Sequence, residues 1–194
     1  AGIRDIYFVV GEQSAQLQSY YRTNIPLSDY LKRNGKADYL PLVEAIKGVN
    51  THFIVQPSVG KYGTSVPASL VNEFIDTDEL ALYMNGDNFF YRTDGGSCAA
   101  DLMELVSSSG LNAGLLCNEL PHEEISKFGV VEKDENNRFV RVIEKPASGE
   151  TTSNLNNSGF YLFPKRVFEL ATSLPANPKR GEYEITDAIN AYVQ

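Results

Sequence analysis

Four short segments carry side chains suited to an anionic, hydroxyl-rich ligand. The first is Gln56–Thr64, QPSVGKYGT. Gly60 and Gly63 let a backbone approach a flat or anionic group closely, and Lys61 offers a charge beside Tyr62. The second is Asn85–Asn88, NGDN, where Gly86 precedes a single carboxylate, Asp87. A carboxylate just past the end of a strand suits Mg2+, which takes one or two carboxylates and fills its shell with substrate phosphate and water. The third is Ile143–Pro146, IEKP. Glu144 can accept hydroxyl protons and Lys145 can hold a phosphate. Neighbours on a strand face opposite ways, so both reach one ligand only if the chain bends at Pro146. The fourth is Ser153–Gly159, SNLNNSG, whose amides both donate and accept, as sugar hydroxyls require.

Each segment also has an ordinary explanation. QPSVGKYGT reads as a solvated loop with a helix cap. NGDN reads as a hairpin turn that returns through Phe89–Tyr91. Glu144 and Lys145 read as a surface pair worth about 0–1 kcal/mol, and SNLNNSG reads as a turn cluster. His52 and His122 have no nucleophile in a recognisable setting, which suits structural or surface roles. Cys98 and Cys117 are the only cysteines and form no CxxC, so they read as buried thiols in a reducing compartment. The order of the four segments along one chain says more than any of them alone.

That order depends on the elements between them. Ile3–Val10 (IRDIYFVV) is a β-branched and aromatic run ending at Gly11, which predicts a buried strand. Gln13–Tyr21 has helical spacing. Asn24–Gly48 is polar and helical, broken at Gly35 and Pro41. Thr51–Val55 predicts a strand, Pro67–Phe74 a helix, Glu79–Met84 a strand, Ala99–Val106 a helix and Ala113–Asn118 a strand. Phe128–Glu132 and Arg138–Glu144 predict a hairpin around a turn-rich DENN. Gly159–Phe163 predicts one more strand, and Pro164–Leu170 and Ile185–Val193 predict helices, the second capped by Glu184 or Thr186. The alternation predicts an α/β fold: a mostly parallel, Rossmann-like sheet flanked by helices, with an inserted antiparallel hairpin. Ligands in such sheets sit beyond the carboxyl ends of the strands, which points to Gly11, the 56–64 loop, Asn85–Asn88 and the 144–159 segment.

Composition sets outer bounds. The 194 residues, 42% apolar and 22% charged, suit one ordinary domain. No apolar run approaches the roughly 18 residues of a membrane span. No cationic stretch followed by an apolar core opens the sequence, so no signal peptide is expected, and the unpaired cysteines make a cytoplasmic location the expectation. A net charge of −8 argues against nucleic acid or an anionic membrane as partner. The 10 Phe and 11 Tyr are expected to fill a core rather than form a stacking platform.

The segments in sequence resemble the sugar-1-phosphate nucleotidyltransferases, the pyrophosphorylases that make nucleotide sugars. AGIRDIYFVVG resembles that family's second strand and ALYMNGDNFF the strand bearing its metal carboxylate. FGVVEKDENNRFVRVIEKP, SNLNNSGFYLF and RGEYEITDAINAYV resemble its sugar-binding half in order and spacing. The insertion at Asn24–Gly48 followed by VGKYGTSVPA looks most like the bacterial UTP–glucose-1-phosphate uridylyltransferases. The resemblance implies nucleotide contacts from Lys61, Tyr62, Gly63 and Gly86, and an Mg2+ ligand at Asp87. It implies a sugar contact from the Gly129 backbone and sugar hydroxyls on Glu144. It further implies phosphate on Lys145 and a sugar-pocket position for Asn157. Glu182 and Glu184 fall in a family motif without an assigned chemistry.

The implied reaction is attack by glucose 1-phosphate on the α-phosphorus of UTP, with pyrophosphate leaving; Lys145 and Asp87 carry the catalytic load. The alternatives are a dTTP-dependent thymidylyltransferase and a nucleotide-sugar-binding module without turnover. A metal-dependent glycosyltransferase is disfavoured, because that class usually shows Asp-x-Asp where this chain has Asn85-Gly86-Asp87. The family's Gly-rich triphosphate loop and second metal Asp have no match here. The chain is therefore expected to be the central part of one longer nucleotidyltransferase domain, with a nucleotide side over about 1–110 and a sugar side over about 111–194. A homo-oligomer is implied by resemblance only.

Overall fold

A computed structural model describes residues 2–21, 24–43, 48–136 and 138–194. Packing divides the chain at residue 60 into two compact units. This boundary differs from the ligand-defined division near 110, which concerns binding rather than packing.

In the unit over residues 2–60, β1 (Asp5–Gly11) and β2 (Asn50–Gln56) form a parallel pair, in register from Asp5↔Asn50 to Gly11↔Gln56. Stacked rings hold the pair together: Phe8 on Phe53 at 5.2 Å and Tyr7 on His52 at 4.5 Å. His52 also meets the Asp5 carboxylate at 2.9 Å, a structural role of the expected kind. At the carboxyl end, Ser58 donates its hydroxyl to Glu12 at 2.8 Å. Helix α1 (Ala15–Tyr21) follows β1. Helix α2 (Ile25–Arg33) starts where Asn24 accepts from the Leu27 N–H. A 3-10 turn over Ala37–Tyr39 and a short α3 (Leu40–Val43) follow the break at Gly35. The expected helical pattern over 44–47 lies outside the described residues.

The unit over residues 61–194 opens with α4 (Ser65–Val71) and β3 (Leu80–Met84). Helix α5 (Cys98–Ser109) is capped by Ser97, whose hydroxyl accepts from the Ala100 N–H, and it ends at Gly110 in the left-handed region. Then come β4 (Gly114–Glu119), β5 (Gly129–Lys133), β6 (Phe139–Glu144), β7 (Leu155–Pro164), α6 (Lys165–Ser173) and α7 (Ile185–Val193). The core lies between the sheet and α4, α6 and α7. Val130, Tyr161, Val167, Phe168 and Ala188 are fully buried there. Asn190 of α7 hooks onto the edge of β6, donating to the Val142 carbonyl at 2.9 Å and accepting from its N–H at 2.8 Å.

The α/β class is as expected, with a parallel pair, flanking helices and the β5–β6 hairpin. The antiparallel share is larger than expected. Strand β7 runs against β3, β4 and β5, so every ladder among the described residues of this unit is antiparallel. An apolar run such as GFYLF specifies burial on both faces but not direction. Several aromatics also stay outside the core: Phe89, Tyr91, Tyr62 and Tyr20 are exposed.

Candidate functional site

Strand register creates the site. Strand β4 occupies one edge of β7 from Leu155 to Leu162. On the other edge, β3 pairs from Leu80↔Pro164 to Met84↔Phe160, and β5 pairs at Val130↔Asn156. Two strands antiparallel to β7 on the same edge lie end to end. The carboxyl end of β3 therefore faces the amino end of β5, and they separate beside Asn157–Gly159. Asp87 follows the first end and Gly129 begins the second.

On the β3 side, the Asn85 N–H bonds the Gly159 carbonyl at 2.9 Å, and Asn88 donates to the Ser158 carbonyl at 2.8 Å. Gly159 has φ +69, and a Cβ there would lie 2.5 Å from the Asn85 amide. The turn thus depends on glycine at that point. Residues 85–91 form no strand, so NGDN is not the hairpin turn that its composition allowed. Gly86 and Asp87 are exposed, and Asp87 has no ion pair or hydrogen bond among the described residues. No group of three His, Cys, Asp or Glu side chains that could cage a metal occurs among them. A lone, accessible carboxylate fits Mg2+ held jointly with substrate oxygens, and does not fit a closed protein cage.

On the β5 side, Gly129 pairs with Glu144 across the hairpin. A Cβ at Gly129 would stand 2.9 Å from a Glu144 carboxylate oxygen and 3.5 Å from the Asn157 Cβ. Glu144, Gly129 and Asn157 therefore sit together. Asn157 is itself fixed by donating to the Tyr161 hydroxyl at 2.8 Å. Segment 153–159, which could have been a turn cluster, belongs to β7 from Leu155 onward. Two of its polar side chains donate across strands to the Asn118 amide oxygen, the Asn156 amide at 2.9 Å and the Ser158 hydroxyl at 2.8 Å.

Lys145 has φ +48, the only positive φ outside glycine among the described residues. A lysine in this region costs of order 1–3 kcal/mol, and such outliers concentrate at functional positions. The twist supplies the bend required before Pro146, at the point where the Lys145 N–H bonds the Phe128 carbonyl at 3.0 Å. Its ammonium is exposed and unpaired among the described residues. Glu144 is half-buried. Burial pushes its pKa above the usual 4.5, and the Glu184 carboxylate adds to this, while Arg180 and Lys145 pull it down. The folded state therefore holds this proton more tightly than the unfolded chain. That contribution to stability is complete below the unfolded pKa and is lost as pH rises through the folded one.

The turn Lys61–Thr64 is gripped by the segment before α7. Tyr183 donates to the Tyr62 carbonyl and accepts from the Ser65 N–H, both at 2.8 Å. The Lys61 ammonium lies 4.9 Å from the centre of the Tyr183 ring. Gly63 has φ +129, and a Cβ there would meet the Tyr183 carbonyl oxygen at 2.4 Å and its nitrogen at 2.6 Å. Both partners are backbone and cannot swing aside. Gly63→Ala should therefore lose about 1–3 kcal/mol, read as a drop of several degrees in Tm. An unchanged Tm would show that this contact is absent in solution.

The sequence offers the motif residue Glu184 only as a possible cap of the last helix. It is 5% exposed, accepts from the Thr64 hydroxyl at 3.0 Å, and pairs with Arg180 at 2.6 Å. It is the N-cap residue of α7, yet its side chain makes no cap bond. The Thr64 hydroxyl accepts from the Ile185 N–H instead, at 2.9 Å. Tyr83 links this turn to β7, donating to the Thr64 carbonyl at 2.8 Å while its ring lies 5.9 Å from that of Tyr161. The cysteines are half-buried rather than fully buried. Burial pushes the Cys117 thiol up to about 11, which leaves it little thiolate at neutral pH.

The α/β chain thus carries an exposed acid past β3 and a Glu–Lys pair at the end of a hairpin. The chain belongs to the nucleotidyl transferase family, whose profile matches residues 1–194. The UTP–glucose-1-phosphate uridylyltransferase of Streptococcus pneumoniae serotype 4 is 28% identical over 98% of this chain and 64% of its own length. The uridylyltransferase AglF of Haloferax volcanii is 34% identical over 60% of this chain and 45% of its own. The chain thus spans about two thirds or less of the curated relatives it matches. A UTP-bound UGPase from Acinetobacter baumannii shares the fold, with TM-score 0.81 at 21% identity over 100% of this chain and 67% of that one. A UDP-glucose pyrophosphorylase complexed with UDP-glucose does so with TM-score 0.75 at 20% identity, covering 98% and 69%. No helix among the described residues is long and apolar enough to cross a membrane.

Proposed function

We propose that this chain carries the substrate site of a uridylyltransferase joining UTP and glucose 1-phosphate to give UDP-glucose and pyrophosphate. The observation that supports it most is the paired strand ends, with Asp87 beyond β3 and Gly129, Glu144 and Lys145 around the start of β5. In this reading the turn Lys61–Gly63 and the Gly86 backbone meet the nucleotide. Glu144 accepts from sugar hydroxyls, Gly129 offers its N–H, and Asn157 lines the sugar pocket. Lys145 holds the sugar phosphate. Mg2+, when bound at Asp87 with substrate oxygens and water, neutralises phosphate charge.

The attacking oxygen of glucose 1-phosphate is already anionic, so no side chain need remove a proton. The transfer is an in-line displacement at the α-phosphorus in which pyrophosphate takes the bonding pair. What the protein contributes is positioning and charge neutralisation between two strongly anionic partners. Lys145 is suited to this because its ammonium is exposed and forms no ion pair with a carboxylate among the described residues.

Pyrophosphate release from UTP or dTTP with glucose 1-phosphate, beside a calorimetric titration with UDP-glucose, tests the proposal. Release with UTP preferred is the expected result. Preference for dTTP would make it a thymidylyltransferase, and binding without release would make it a binding module. A further expectation follows from Glu144, whose ionised form is the acceptor. The KM for glucose 1-phosphate should rise on acidification with a midpoint above 4.5, the ordinary glutamate value. That dependence should flatten in Glu144→Gln. A midpoint at or below the ordinary value would contradict the assignment.

A further inference from the structure

The proposed reaction leaves a polar cluster around the buried Glu184 carboxylate without a task. Arg180, Glu184 and Thr64 form a chain of contacts in which Glu184 is buried and both of its oxygens accept. Thr64 donates its hydroxyl to one at 3.0 Å, and the Arg180 guanidinium donates to the other at 2.6 Å. The Thr64 oxygen in turn accepts from the Ile185 N–H at 2.9 Å. Arg180 also reaches the Glu182 carboxylate at 3.5 Å, and the Thr64–Glu184 contact spans a sequence separation of 120 residues. Thr64 directly follows Gly63, whose backbone is pressed against Tyr183. Tyr83 holds the Thr64 carbonyl from another direction at 2.8 Å.

Burying a carboxylate, even beside a partly exposed guanidinium, is a poor way to add stability, since an apolar side chain of like volume often does as well or better. It is a good way to fix one geometry, because misplacing Thr64 or Arg180 orphans the buried Glu184 charge. We propose that Glu184, braced by Arg180, is a positioning residue that acts through the Thr64 hydroxyl to hold the Lys61–Gly63 turn in the conformation that receives the nucleotide. This rests on the uridylyltransferase reading. None of the three side chains need touch the reacting atoms. Glu184 also lies within electrostatic reach of Glu144, so the same carboxylate adjoins both halves of the site.

The test is steady-state kinetics on the full protein with Thr64→Val, Thr64→Ser and Glu184→Gln, each accompanied by Tm. Valine keeps the shape of threonine and removes the hydroxyl. Thr64→Val should raise KM for UTP about tenfold or more, with kcat and the KM for glucose 1-phosphate within about twofold of wild type. Thr64→Ser should restore the UTP KM. Glu184→Gln presents only one acceptor to two donors and should reproduce the UTP defect. It provides the same comparison if Thr64→Val does not fold. A purely structural role would instead lower kcat in proportion to lost folded enzyme and leave KM alone, and that result overturns the proposal. So does a UTP KM unchanged in both variants while wild type turns over. Absence of both UTP binding and pyrophosphate release in wild type would overturn the uridylyltransferase reading itself, and this proposal with it.

Discussion

Lys145→Ala should cut the rate of UDP-glucose formation by about a thousandfold while leaving Tm within a few degrees. The two halves of this expectation have separate causes. The Lys145 ammonium is exposed and pairs with nothing among the described residues, so its loss removes no contact that holds the fold. The proposed reaction brings a sugar phosphate against a triphosphate, and each uncompensated charge opposes that approach. The backbone offers an independent check. At φ +48 a lysine is strained and a glycine is not. Lys145→Gly should therefore fold at least as well as Lys145→Ala and be equally inactive. Strain kept where its relief would not harm the fold indicates that the side chain's placement is what matters. Full turnover in either variant would remove Lys145 from the catalytic account.

Asp87→Asn should lower turnover by about 100-fold to 1,000-fold at a fixed Mg2+ concentration. Asparagine keeps the shape of the turn, which is anchored by Asn85 and Asn88 on Gly159 and Ser158 rather than by Asp87 itself. Tm should thus hardly move. The amide oxygen is a weaker ligand for a hard cation than a carboxylate, so the Mg2+ concentration for half-maximal rate should rise. Titrating Mg2+ against pyrophosphate release measures both effects at once. Wild-type rate and wild-type Mg2+ dependence would sink the metal assignment.

Much of this arrangement was legible because local signals agreed with the global fold. Ile185–Val193 has helical spacing and an extended residue before it, and it is a helix over that span. Glu79–Met84 stops at Asn85-Gly86, and β3 stops there too. What was not legible lies in long-range pairing. Asn and Ser are poor strand formers, so Leu155–Ser158 reads as a turn. It is a strand because Asn118 on β4 pairs with Asn156 and Ser158. Strand direction leaves no local trace, so the antiparallel course of β7 and the gap it creates between β3 and β5 could not be read from GFYLF. Glu184 looked like a possible helix cap, and only the distant Thr64 and Arg180 explain its burial. Among the site residues, the need for a bend at Pro146 could be deduced. The left-handed Lys145 that supplies it could not, because lysine has no preference for that conformation.

The most direct test is a crystal structure of the protein with UDP-glucose and Mg2+. The account predicts the glucose against Glu144 and Gly129, a phosphate on the Lys145 ammonium, and the uracil at the turn Lys61–Gly63. The cation should lie between Asp87 and the phosphates. A nucleotide sugar seated elsewhere, or one with Asp87 and Lys145 on opposite sides of the molecule and no ligand between them, would contradict it.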